Sequence, residues 1–174
     1  MSSGDRLTQA LVDVCAECFD AMAAILTALG DDLANRRPDL PSANSCYAIV
    51  NHCIGVVDYW AGSFIAGHRI PRDRDGEFWA TGTVEELLTR LSAARACFGE
   101  WVAVGLTEGV GDRNLADGIR GGSTRTEVLA TATAEWALLH VLHDLAQHVG
   151  QMELSRDILL DEQDRRRDKS GGQS

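Results

Sequence analysis

The chain has 174 residues, 45% hydrophobic and 24% charged, with 26 acids against 16 bases and a formal charge of −10. That length suits one domain with a real core, and the balance of apolar and charged residues excludes wholesale disorder. A pI near 4.8 argues against a nucleic-acid partner, because phosphate contacts need a clustered basic surface. Five cysteines is an odd number at no secretory spacing, and no signal peptide precedes them, so reduced thiols in a cytoplasmic protein are expected.

The longest apolar stretch near the N-terminus, residues 10–29, is broken by Asp13, Glu17 and Asp20, which excludes a membrane span or a signal-peptide core. Those acids suit the wet face of an amphipathic first helix over residues 7–29. Its apolar stripe is Leu11, Cys15, Cys18, Met22, Ile25 and Leu29, and Gly30-Asp31-Asp32 marks its stop. A linker with Pro38 and Pro41 leads to a second helix from about Asn44 to Gly67, striped with Ile49, His52, Cys53, Val56, Trp60 and Phe64. After the polar run Arg69-Ile-Pro-Arg-Asp-Arg-Asp-Gly, Thr83-Val-Glu-Glu spells a capping box for a third helix. Leu87, Leu88, Leu91, Ala94, Cys97, Phe98 and Trp101 form its apolar face.

Residues 105–122 are glycine-rich and aperiodic, and read as one long mobile loop over the site. A fourth helix is predicted over residues 126–160. With no strand alternation, repeat or second domain, the expected fold is an all-α four-helix bundle over residues 1–162, followed by a flexible tail at 163–174.

The chemistry concentrates on the fourth helix. His140, Asp144 and His148 recur at four-residue steps, continued by Gln151 and Ser155, and so form a polar ladder on one face. Leu138, Val141, Leu145 and Met152 flank it and draw it toward the core, where ionisable groups need a partner or a metal. His52 repeats the anomaly on the second helix. Imidazole and carboxylate suit a borderline divalent ion such as zinc, and three protein ligands leave one position open. His52, Asp144 and His148 are the candidate ligands; His143 points about 100° away from Asp144 and is the poorest of the group. The spacing serves equally a hydrogen-bonded core histidine with an ordinary i,i+4 pair.

Other motifs read as structural. Cys15-Ala-Glu-Cys18 has redox spelling but sits mid-helix at core spacing, and Cys53 beside His52 reads as packing. Arg69, Arg72 and Arg74 are interleaved with Asp73, Asp75 and Glu77, which suggests an ion-pair network. Gly118, Gly121 and Gly122 match no phosphate loop, and Arg165-Arg-Arg is offset by acids, so no membrane contact is expected.

Leu40-Pro-Ser-Ala-Asn-Ser, Val50-Asn-His-Cys, Tyr59-Trp60, Arg72-Asp-Arg-Asp-Gly-Glu-Phe and Ala146-Gln-His-Val-Gly-Gln with Arg156 together resemble the DinB-like superfamily. Within it they are most similar to the mycothiol-dependent branch, that of mycothiol S-transferases and the N-terminal domain of maleylpyruvate isomerases. The resemblance covers roughly residues 7–160. It implies a four-helix bundle with a divalent metal held by His52, Asp144 and His148. Many members carry histidine or glutamate at the place of Asp144, and the shorter aspartate implies a metal nearer the fourth helix or more weakly held. The isomerases have a further C-terminal domain, so a chain of this length is expected to be a stand-alone thiol S-transferase.

The implied reaction has a physical basis. Two neutral imidazoles, a carboxylate and a divalent cation leave a net charge of about +1, which favours the thiolate of an entering thiol such as mycothiol. The bound thiolate attacks an electrophilic small molecule, in a detoxifying role, while the protein orients the partners and excludes water. Gln151 is a candidate support, and Tyr59 and Trp60 are candidate walls of the thiol or substrate cleft. A homodimer is compatible with the sequence. Two alternatives stand beside this reading: a non-catalytic metal- or ligand-binding stress-response bundle, and a thiol-independent metal hydrolase or isomerase.

Overall fold

The computed structural model of the chain describes residues 3–114 and 126–171, with side chains from 4–114 and 127–168. Among these the regular elements are helices only. They are α1 (Ser3–Ala34), α2 (Cys46–Val57) running on as a π-helix (Asp58–Ile65), α3 (Arg74–Glu77), α4 (Val84–Glu108), α5 (Thr126–Thr131) and α6 (Ala134–Gly171). Part of the glycine-rich stretch, residues 115–122, lies outside the described residues, as do the glycines at 118, 121 and 122.

Several helices begin where a side chain satisfies their orphan amides. The Ser45 hydroxyl accepts from the Ala48 amide at 3.2 Å and opens α2. Thr83 accepts from the Glu86 amide at 3.3 Å and donates to the Glu86 carboxylate at 3.0 Å, so the Thr-x-x-Glu spelling delivers its cap. The end of α1 is tied to this point. Gly30 takes φ 64° and ψ 177°, a break in the helix, after which one more turn runs to Ala34. Beyond that break Asp31 accepts from the Val84 amide at 2.7 Å, and Asn35 exchanges two hydrogen bonds with the Gly82 backbone. Gly30 thus redirects the helix where a stop was expected, and the extra turn anchors α4.

The last helix differs from its expected span at both ends. Ala132 and Thr133 separate α5 from α6, and the Thr133 hydroxyl caps α6 by accepting from the Trp136 amide at 3.2 Å. At the other end α6 continues past Leu160 to Gly171. Arg165 pairs with Asp161 at 2.8 Å and Arg166 with Glu162 at 4.0 Å, the four-residue spacing that supports an exposed helix.

α1 lies against α4 and α6, and α2 lies against the same two helices. Between them sit Phe19, Met22 and Leu26 of α1, Ile49 of α2, Leu87 and Phe98 of α4, and Leu138, Leu145 and Met152 of α6, all buried. Phe19 meets Phe98 edge-on at 6.2 Å between centroids. No helix among the described residues is long and apolar enough to cross a membrane. Thr83→Ala is expected to cost about 1 kcal/mol, and Phe98→Ala about 3–5 kcal/mol, both read from the midpoint of urea unfolding.

Candidate metal centre

α2 is apolar over most of its surface, and His52 lies in it with only 6% of its surface exposed. An imidazole so placed needs a polar partner. The partner comes from the segment 72–78, which crosses over α2. Nδ1 of His52 lies 2.7 Å from Oε2 of Glu77. Arg72 grips the same carboxylate with two bonds, Nε to Oε1 at 2.7 Å and Nη2 to Oε2 at 3.0 Å. The side chains of all three are 7% exposed. Phe78 stacks on the His52 ring with centroids 4.6 Å apart and planes 29° from parallel.

The segment is itself held in shape. Asp73 caps α3 by accepting from the Gly76 amide at 3.1 Å, and Asn51 donates to the Glu77 carbonyl at 3.3 Å. Arg37 donates to the Phe78 carbonyl at 2.8 Å. Gly55 of α2 provides the clearance: a Cβ at that position would stand 2.1 Å from Oε1 of Glu77.

His148 approaches from α6, its ring edge-on to that of His52 at 5.1 Å. Its Nδ1 lies 3.0 Å from Oε1 of Gln151, one turn on. In both histidines Nδ1 is therefore engaged, which leaves Nε2 as the ring nitrogen available for a ligand. Asp144 lines the same cavity, and its Oδ2 lies 3.9 Å from Nε2 of His140. The cavity has a volume of about 290 Å³ and is also walled by Tyr59, Trp60, Phe78, Arg74 and Arg72. A larger depression of about 600 Å³ between α1 and α4 has one carboxylate, Glu85, and no histidine.

His52, Asp144 and His148 thus meet on one cavity, with Tyr59 and Trp60 in its wall and Gln151 behind His148. Among the described residues, no three His, Cys, Asp or Glu side chains stand close enough together to hold an ion as they are arranged. The donor types still suit a divalent ion: two imidazoles with Nδ1 already bonded, and one carboxylate. His140 is turned into an aromatic corner, stacked on Trp136 at 5.0 Å and edge-on to Trp60 at 5.1 Å. His143 is exposed.

Glu77 is the residue beside the cavity whose contact with His52 the sequence did not reveal. Its pairing with Arg72 follows from the interleaved charges, but its contact with His52 spans 25 residues and obeys no periodicity. Of the other two arginines in that run, Arg74 lines the cavity and Arg69 is exposed.

The electrostatics set the protonation states. Burial works to raise the Glu77 carboxyl, but the hydrogen bonds from His52 and Arg72, with the charge of Arg72, outweigh it and hold the group below its ordinary range. Burial pushes His148 below the usual histidine value, against the opposing effects of Gln151 and Asp144, so its neutral form is favoured. The cysteines move the other way. Burial raises Cys15 to about 12 and Cys46 to about 11, and raises Cys53 well above a free thiol.

Two outcomes follow for the metal-free protein. A depressed folded-state pKa contributes stability above the unfolded value and loses it as pH falls. Stability should therefore begin to decline as pH drops below about 6.5 through His148, and decline further below about 4.5 through Glu77. Urea midpoints against pH check this, and His148→Gln should remove the first decline. An aromatic disulfide reagent at pH 8 should label half-buried Cys97 and reach Cys15, Cys46 and Cys53 only on unfolding.

No curated protein matches the chain. The family model described as the DinB superfamily matches residues 16–152, a span that runs from α1 through α2 and its Glu77 clamp to the turn of α6 bearing Gln151. That match takes in His52, Asp144 and His148, and the chain belongs to the DinB superfamily.

Proposed function

We propose that the chain is a divalent-metal-dependent thiol S-transferase built on a four-helix bundle, with its metal site between α2 and α6. One observation carries the proposal: His52 of α2 and His148 and Asp144 of α6 line a single cavity, and Nδ1 of both these imidazoles is already bonded. Membership of the DinB superfamily fits a metal-binding helical protein. His52, Asp144 and His148 would hold the ion, and zinc suits this mixture of imidazole and carboxylate. A divalent cation there supplies positive charge that favours thiolate over thiol at neutral pH.

The chain's own residues do the rest. Gln151 fixes the ring of His148, and Glu77 that of His52. Tyr59, Trp60 and Phe78 wall one side of the cavity with rings against which a substrate can be oriented. Its volume is at the small end for organic ligands, which suits a thiolate and a compact electrophile held in contact. The thiol is brought in as co-substrate, since burial keeps the chain's core cysteines protonated. The sequence resemblance points to mycothiol as that thiol, acting on an electrophilic small molecule in a cytoplasmic detoxifying role.

Elemental analysis of the purified protein should find about one divalent ion per chain. His52→Ala and His148→Ala should abolish it, and Asp144→Ala should weaken it. Mycothiol and a panel of other thiols, incubated with a halogenated aromatic electrophile, should give conjugate in the presence of metal and lose it on chelation. Conjugation unchanged by chelator, or hydrolysis of the electrophile without added thiol, overturns the assignment.

A further inference from the structure

We propose that Glu77, gripped by Arg72, is a positioning residue that fixes His52 in its Nδ1–H tautomer and so presents the Nε2 lone pair to a ligand in the cavity. The inference rests on the reading of this cavity as a divalent-cation site. Its own basis is the geometry of donors and acceptors around one buried carboxylate.

Both Glu77 oxygens receive hydrogen bonds from Arg72, and Oε2 receives the His52 contact as well. A carboxylate so surrounded is an acceptor only, so the ring nitrogen that faces it must carry the proton. The neutral imidazole then has its lone pair on Nε2. A carboxylate behind a histidine also makes that ring a stronger and better-aimed ligand.

Three further contacts show that the arrangement is built rather than incidental. Phe78, the next residue, stacks on the face of the same ring, so one short segment fixes both its edge and its tilt. Asn51, beside His52 in α2, holds the Glu77 carbonyl. Gly55, one turn further along α2, leaves the space that Oε1 occupies, and any side chain there displaces the carboxylate. Arg72 is placed in turn over the ring of Tyr59, 5.3 Å from its centroid, which joins the clamp to the cavity wall.

The test uses the full chain, metal-free, with nitrogen-15 in its histidines, at pH 8. Long-range proton–nitrogen correlation spectra report which ring nitrogen of His52 carries the proton. Wild type should show Nδ1–H. Glu77→Ala and Gly55→Ala should lose that preference, while Leu87→Ala, a core change on α4 away from the clamp, should keep it. Zinc affinity, measured by competition with a chromophoric chelator, should fall about 10–100-fold in Glu77→Ala. It should fall in the same direction in Gly55→Ala and stay unchanged in Leu87→Ala.

His52 carrying its proton on Nε2 in wild type overturns the proposal, and this reading needs no variant to fold. So does a Glu77→Ala protein with wild-type tautomer and wild-type zinc affinity. Wild type that shows Nδ1–H but takes up no zinc removes the cation site and the transferase reading, and leaves the tautomer lock standing. Zinc uptake with an Nε2–H His52 does the reverse.

Discussion

The structure around the cavity depends on one buried anion. Removing a carboxylate from water is costly, and Glu77 is tolerated at 7% exposure only because Arg72 and His52 together supply three close donors. The same bonds that offset that cost organise the neighbourhood. They bring the segment 72–78 down onto α2, draw Arg72 over Tyr59, and set Phe78 on the face of His52. Gly55 belongs to this constraint through the side chain it lacks, because the carboxylate occupies the volume a Cβ would take.

The second constraint is the change of helical period after α2. Between Asp58 and Ile65 the chain winds as a π-helix, a form most often found as a short local feature near functional sites. It carries Tyr59 and Trp60, and Trp60 there meets Tyr59, Phe64, Trp136 and His140 edge-on. A ring contacted on so many sides has little freedom, so this wall is rigid where the opposite side of the cavity, with Arg74, is open to solvent. His140 belongs to this wall more than to the ligand ladder, although it shares the four-residue spacing of Asp144 and His148.

Much of this could be read from the sequence, and the limits have physical causes. Helix period is local, so the stripes through Cys15, Met22 and Ile25, through Ile49 and Val56, and through Leu87 and Phe98 all reappear as buried faces. Caps are local too, and Thr83 with Glu86 behaves as spelled. The three residues nominated for the ligand set share one cavity because two of them lie one helical turn apart and the third interrupts an apolar stripe. What escaped was non-local or lacked a strong local mark. The His52–Glu77 bond joins α2 to the last residue of α3 across 25 residues. The π-helical winding has no sequence signature. The break before α6 falls at Ala132 and Thr133, with no proline or glycine beside it. The continuation of α6 through residues 161–167 carries acids paired with arginines three and four residues on, which a search for apolar periodicity passes over.

The clamp on His52 comes from a single short stretch of chain, and that has a kinetic consequence. Residues 72–78 are fastened by a handful of hydrogen bonds to α2 and to Arg37, and contribute few side chains to the central core. Such a stretch can detach as a unit at a lower free energy than global unfolding. When it lifts, the carboxylate, the stacking ring and the arginine leave His52 together, with the helices still packed. Loss of that one docking would therefore cost His52 its alignment without requiring the helices to separate.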